Sequence, residues 1–275
     1  MVKGGDKMEL IIEKLVSEYM KLDEVEAITL AGSRASRRND SQSDIDLDLF
    51  VTGAIPIAKR REIASRFSDC MEIGNEFFGS SDEFITRDSL IDIDICFFDL
   101  EEIRQNLASV MEDAQAQTGY TTCFVYNVLN AEVLYDRNQE LKHLRKKYQH
   151  VYPRALKQAI VDKNYPILRN AFSSYYHQIE KAISRGDLNS INHRVTAFLA
   201  SYYDIIFAIN GVLHPGEKRL LSIIESICVI YPPHTTQYVQ TIIKSIGVDD
   251  QLLLQTLNLL VDELEILLKE KGFIS

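Results

Sequence analysis

Apolar and polar positions alternate along the chain with two different periods, and the change from one to the other divides it. Over roughly the first 150 residues, short runs of period two are interleaved with stretches of helical period. The pattern predicts a helix over Met8–Lys21, strands over Glu26–Ala31 and Ile45–Val51, and a helix over Ile57–Met71. A strand pair follows, Glu83–Thr86 and Leu90–Phe98, joined by the turn chemistry of Arg87-Asp88-Ser89, and then a helix from Leu100 onward. Asn130–Asp136 reads as one further edge strand before a helix over Gln139–His150.

Beyond Tyr152-Pro153 nearly every stretch has helical period. Breaks at Pro166, Gly186-Asp187, Asn210–Glu217, Pro232-Pro233 and Gly247–Asp250 leave five or six helices. The last of them carries acidic residues at its start and a lysine near its end, as the helix dipole favours. Its apolar stripe fits a bundle core element, with a dimer contact as the alternative. The expected fold is therefore α+β, a mixed β-sheet with flanking helices over 1–150 followed by an all-α bundle over 151–275, with no internal repeat.

At 275 residues and 46% hydrophobic content the chain can bury a sizeable core. No apolar run approaches the roughly 20 residues of a membrane span, and the N-terminal stretch lacks the apolar block of a secretory signal, so a cytoplasmic protein without membrane contact is expected. Cys70, Cys96, Cys123 and Cys228 lie far apart, form no C-x-x-C pair, and read as reduced and mostly buried. The six histidines show no ligand spacing for zinc. P-loop and G-x-S-x-G motifs are both missing. A formal charge of −10 disfavours nucleic acid as a partner and mildly favours a cationic one. The basic clusters Lys59-Arg60-Arg61 and Arg145-Lys146-Lys147 read as solvated helix faces.

The chemistry concentrates in "LAGSRASRRNDSQSDIDLDLF", Leu30 to Phe50. In a strand, alternate side chains share a face, so Asp44, Asp46 and Asp48 point one way and Ile45, Leu47 and Leu49 the other. Three like charges on one face are costly unless cations neutralise them. Residues two apart, about 6.6 Å at Cα, can bracket two divalent ions about 3.5–4 Å apart. Gly32-Ser33 directly follows an apolar strand. Glycine there permits close backbone approach, and turn N–H groups with the Ser33 hydroxyl suit phosphate oxygens. A third carboxylate is expected on a neighbouring strand, and "LIDIDICFF" offers Asp92 and Asp94 on one face. Asp94, set in the more continuous apolar run, is the choice, with Asp92 the alternative should the register differ by one pair. Asp48 reads as a structural neighbour. Arg34 is a candidate phosphate contact, while Arg37 and Arg38 read as solvated.

This combination of hydrophobic strand, Gly-Ser, Asp-x-Asp about ten residues later and a later strand bearing aspartate resembles the nucleotidyltransferase (polymerase beta-like) superfamily. The resemblance covers about the first hundred residues. It implies that Gly32 and Ser33 hold a nucleoside triphosphate, that Asp44, Asp46 and Asp94 bind two Mg2+ ions, and that a nucleoside monophosphate is moved onto a hydroxyl. A catalytic domain followed by helices is similar to the lincosamide and aminoglycoside nucleotidyltransferases. In such proteins a lysine near a helix start reaches the triphosphate, a role that would fall to Lys218 in "NGVLHPGEKRLL". The expected activity is transfer of AMP from ATP, or of another nucleotide, onto a small hydroxylated acceptor such as an antibiotic, with release of pyrophosphate. The alternatives are a protein acceptor or a non-catalytic nucleotide-binding, antitoxin-like module; a homodimer is left open.

Overall fold

The alternating run Ile45–Val51 becomes the middle of a six-stranded sheet. The computed structural model describes residues 4–31 and 44–275, with the side chains of residues 4–6 set aside. In chain order it contains α1 (Gly4–Tyr19), β1 (Val25–Leu30), β2 (Ile45–Val51), α2 (Ile57–Ala64), β3 (Cys70–Asn75), β4 (Ser81–Ile85) and β5 (Asp92–Asp99). After these come α3 (Leu100–Met111), α4 (Cys123–Asn130), β6 (Glu132–Asp136) and α5 (Glu140–Tyr148). Then follow α6 (Arg154–Leu168), α7 (Tyr175–Ser184), α8 (Leu188–Asn210), α9 (Leu220–Ile227), α10 (Thr235–Ser245) and α11 (Asp250–Glu270). By contacts the chain forms two units, 1–107 with 127–149, and 108–126 with 150–275. The expected division near 150 put 108–126 with the first half, whereas these residues group with the second. The fold is α+β, as expected, with a mixed sheet and a helical C-terminal part.

The sheet order is β3-β4-β5-β2-β1-β6. β2 and β5 run parallel, and the other neighbours are antiparallel. Cross-strand partners share a face, so the period of two decides what is buried. Ile45, Leu47 and Leu49 lie with Ile28, Leu30, Phe84, Ile93 and Ile95 in one core, joined by Leu15 and Tyr19 of α1 and Ile63 of α2. Each such side chain contributes roughly 1.5–3 kcal/mol by leaving water. This face therefore fixes the register that sets out the opposite one.

Four expectations need correction. The helix from Ile57 stops at Ala64, and Cys70–Asn75 is an edge strand. Pro166 does not break a helix at once but lies inside α6, two residues from its end, so that the hydrogen bond it forfeits belongs to the last turn. The basic triplets are not wholly solvated. Consecutive helical residues point about 100° apart, so one of three must turn inward. Arg60 is buried, donating from Nε to Asp82 Oδ2 at 2.9 Å and from Nη2 to Asp82 Oδ1 at 2.6 Å. Arg145 donates to the carbonyls of Ala131 and Leu129. Of the cysteines, all free, only Cys228 is buried; Cys70 is exposed and the other two are half-buried.

In the second unit α8 is the central element. Every residue from Ser201 to Ile209 is buried, which a helix achieves only when other elements surround it. Gly211 ends it in the left-handed region at φ 66, with its N–H on the Ala208 carbonyl. α11 buries Leu253, Leu257, Leu260, Leu264 and Leu268 in the same core, and Asp249 caps its start by accepting from Leu252 N–H at 2.9 Å. Among the described residues no helix is long and apolar enough to cross a membrane.

Candidate active site

The sheet face opposite the first unit's core carries the aspartates. β2 and β5 run side by side in parallel, and their register sets Asp46 opposite Asp94, Asp48 opposite Cys96, and Phe50 opposite Phe98. On the far side of β5, Glu83 of β4 is opposite Asp94, and on the far side of β4, Glu72 of β3 is opposite Glu83. A row of four carboxylates thus crosses four strands. Like charges placed directly opposite in a sheet are destabilising, so this row works against the fold that displays it. Asp44 is exposed at the entry to β2. Asp92 is exposed on the same face as Asp94, opposite Ile85.

The electrostatics follow from this crowding. Burial first, then the charges of Glu83 and Asp46, raise the Asp94 carboxyl above the ordinary aspartate range; the Cys96 thiol opposes them slightly and Asp44 adds to them. Asp48 is pushed up to about 7, by burial first and then by Asp46 and Asp94. Its neighbour on β1, Thr29, is fully buried, and the hydroxyl finds no hydrogen-bond partner among the described residues. Cys96 is pushed up to about 12 by burial and then by Asp94 and Asp48, which keeps it a thiol and a poor nucleophile. The Phe50 and Phe98 rings, 6.0 Å apart, occupy the row beyond Asp48.

β1 ends beside Asp46, and the Ala31 N–H donates to the Asp46 carbonyl at 2.9 Å. Gly32, Ser33 and Arg34, the expected phosphate contacts, lie outside the described residues, as do Arg37 and Arg38. Lys218 is exposed in the turn before α9, in the other unit.

Hard carboxylate oxygens suit Mg2+. Among the described residues no three His, Cys, Asp or Glu side chains form a cluster that could by itself hold a metal ion. Mg2+ is commonly held by one or two carboxylates together with substrate phosphates rather than by an all-protein cage. The side-by-side pair Asp46 and Asp94 meets that weaker requirement.

Sequence reasoning missed Glu83 and its support. Asn75 Nδ2 donates to Glu83 Oε1 at 3.0 Å, and Ser81 Oγ donates to Asn75 Oδ1 at 2.8 Å, an arrangement that fixes the carboxylate beside Asp94. The signal was the hairpin around Gly79, φ 134, which makes Cys70–Asn75 and Ser81–Ile85 partners.

A family model described as a domain of unknown function (DUF4037) matches residues 121–220, a span that includes α4, β6 and α5 and runs to the start of α9. No curated protein matches the chain. Among solved structures it is similar to a nucleotidyltransferase-like protein from Exiguobacterium sibiricum 255-15, 15% identical, with 96% of this chain and 75% of that one covered at a TM-score of 0.47. It is also similar to a CCA-adding enzyme in complex with ATP, 12% identical, with 96% and 82% covered at a TM-score of 0.31.

Proposed function

We propose that the chain is a nucleotidyltransferase that moves AMP from ATP onto a hydroxyl of a small molecule, releasing pyrophosphate. The observation that carries this reading is the parallel register of β2 and β5, which sets Asp46 beside Asp94 where the strand preceding Gly32-Ser33 ends. A purely structural sheet face gains nothing from such a row, because the carboxylates raise one another's proton affinity and weaken the fold. A face built to receive cations and phosphates gains the site itself.

In this reading Asp44, Asp46 and Asp94 would hold two Mg2+ ions, and Gly32, Ser33 and Arg34 would contact the triphosphate. When bound, the ions neutralise phosphate charge and acidify the attacking hydroxyl. The chain's own part is placement. Asp46 and Asp94 keep their carboxylates in one row because the Ile45, Leu47, Ile93 and Ile95 side chains beneath them are locked in the core. Asp48, one row further in and pushed up to about 7, carries only part of its charge near neutral pH. The acceptor oxygen bonds to the α-phosphorus as the bond to the bridging oxygen breaks. The electron pair leaves with pyrophosphate, and the hydroxyl proton passes to a carboxylate of this face.

The test is pyrophosphate release from ATP and Mg2+ over a panel of hydroxylated small molecules and proteins, with Asp46→Asn alongside. Because loss of a residue that merely supports a metal ligand already costs 10–100-fold, loss of a ligand should cost at least about 100-fold. Turnover that survives Asp46→Asn would remove the metal assignment. Nucleotide binding without turnover on any acceptor would favour a regulatory module.

A further inference from the structure

The helical unit contains a cavity with largely apolar walls. This cavity, of about 460 Å³, is walled by Val195, Leu199 and Tyr203 of α8, by Ile243 and Ile246 at the end of α10, and by the Tyr120 ring. The volume lies within the roughly 300–1,000 Å³ of small-molecule sites, and so does the character, apolar walls with a few polar groups. Val195, Leu199 and Tyr203 are buried, whereas the charged lining residues Glu217 and Arg219 are exposed. The cavity thus has an apolar floor and one charge of each sign at its edge.

Two of its residues are held in backbone conformations that bulky side chains avoid. Tyr120 has φ 57 and Arg219 φ 59, both in the left-handed region. Such residues persist only where their surroundings over-determine them. For Tyr120 those surroundings are on the page. The N–H of Gly119 donates to Asn164 Oδ1 at 2.9 Å, and a side chain at 119 would meet Ala200 Cβ at 3.0 Å. On its other flank, Thr121 donates to Asp204 from its N–H at 3.1 Å and from Oγ1 at 2.7 Å. The Tyr120 ring rests on His214, 4.7 Å away and itself fully buried. Asn164 and Asp204 are likewise buried, so a set of costly buried polar groups fixes one aromatic wall of the cavity. Arg219 stands at the N-cap of α9 without capping it, and Leu220, Leu221 and Ser222 of the uncapped first turn belong to the wall.

We infer that this cavity binds a free α-amino acid with an apolar side chain. Its carboxylate meets Arg219 and the first turn of α9, its ammonium meets Glu217, and its side chain enters between Val195, Leu199 and Ile246. One cation and one anion two residues apart match the two charges carried on a single α-carbon. A polyanion would be repelled by Glu217, and an organic cation would meet Arg219. The helix start adds partial positive charge on the carboxylate side. This site lies in the helical unit and does not rest on the nucleotidyl-transfer reading.

The test is thermal unfolding and calorimetric titration of the full chain with L-leucine and L-phenylalanine, beside L-leucinamide, which lacks the carboxylate, and 4-methylpentanoate, which lacks the ammonium. A concentration-dependent rise in Tm with the amino acids is expected, with each truncated analogue binding roughly tenfold or more weakly, as loss of a charge-assisted bond implies. Arg219→Gln and Glu217→Gln should weaken binding to a similar degree. Both positions are exposed, so an unchanged Tm without ligand checks that the variants fold. Asn192→Trp, at the exposed edge, should block binding. No response to either amino acid at millimolar concentration overturns the inference, and so does binding of either truncated analogue as tightly as the amino acids.

Discussion

Asp82 and Asp94 sit on adjacent strands of one sheet, on opposite faces, and they are treated in opposite ways. Asp82 is fully buried and completely answered: it accepts two hydrogen bonds from Arg60 and one from the Gly74 N–H at 2.8 Å. The Arg60 guanidinium in turn lies 3.9 Å over the Phe97 ring and donates to the Ser81 carbonyl. Asp94 is half-buried among Asp46 and Glu83, and its one hydrogen bond among the described residues is a weak contact from the Cys96 thiol at 3.9 Å. The fold gives Asp82 a cationic partner, whereas among the described residues Asp94 accepts only that weak thiol contact. A carboxyl raised by burial and by like charges, with no cation beside it among the described residues, is a candidate functional group.

Removing either kind of aspartate should therefore act in opposite directions. The largest effect is expected on the answered face. Asp82→Ala leaves Arg60 buried without its partner and should lower stability by about 3–5 kcal/mol in urea unfolding. A loss below about 1 kcal/mol would mean that the pair contributes little and that the contrast fails.

A smaller effect of opposite sign is expected on the site face. Asp48 holds its proton up to about 7, against about 4 for an unfolded aspartate. Its protonated form suits the fold fully below pH 4, and that contribution is lost as pH rises through 7. In protein freed of divalent cations, Asp48→Asn should match the parent near pH 4 and exceed it by on the order of 2–4 kcal/mol at pH 8. Asp94 is raised by the same causes, so Asp94→Asn should shift stability in the same direction by less. Destabilisation of both variants at pH 8 would mean that the ionised carboxylates are held by stabilising partners.

The two faces also differ in what the sequence made legible. The alternation of Ile45–Val51 announced which side chains would share a face, and Gly-Ser with Asp-x-Asp pointed to phosphate and metal chemistry. Which aspartate of "IDID" stands beside Asp46 was open, because register between strands some fifty residues apart is decided by core packing and not by local pattern. Glu83 was missed for a related reason. Its partner strand, "CMEIGN", has one β-branched residue and a glycine, so the preceding helical period ran on to Met71. The burial of Arg60 was hidden inside a basic triplet, since the inward direction of a helix depends on what packs against it. Tyr120 and Arg219 could not have been singled out, because nothing in their own residue types predicts a positive φ.

The carboxylate face, and not Asp82 behind it, is the proposed seat of a metal-bound nucleotide. Calorimetric titration of ATP into the full chain, with and without Mg2+, tests it most directly. Saturable, Mg2+-dependent binding is expected for the parent, lost in Asp46→Asn and in Asp94→Asn. Undiminished binding in both variants, or binding indifferent to Mg2+, would contradict it.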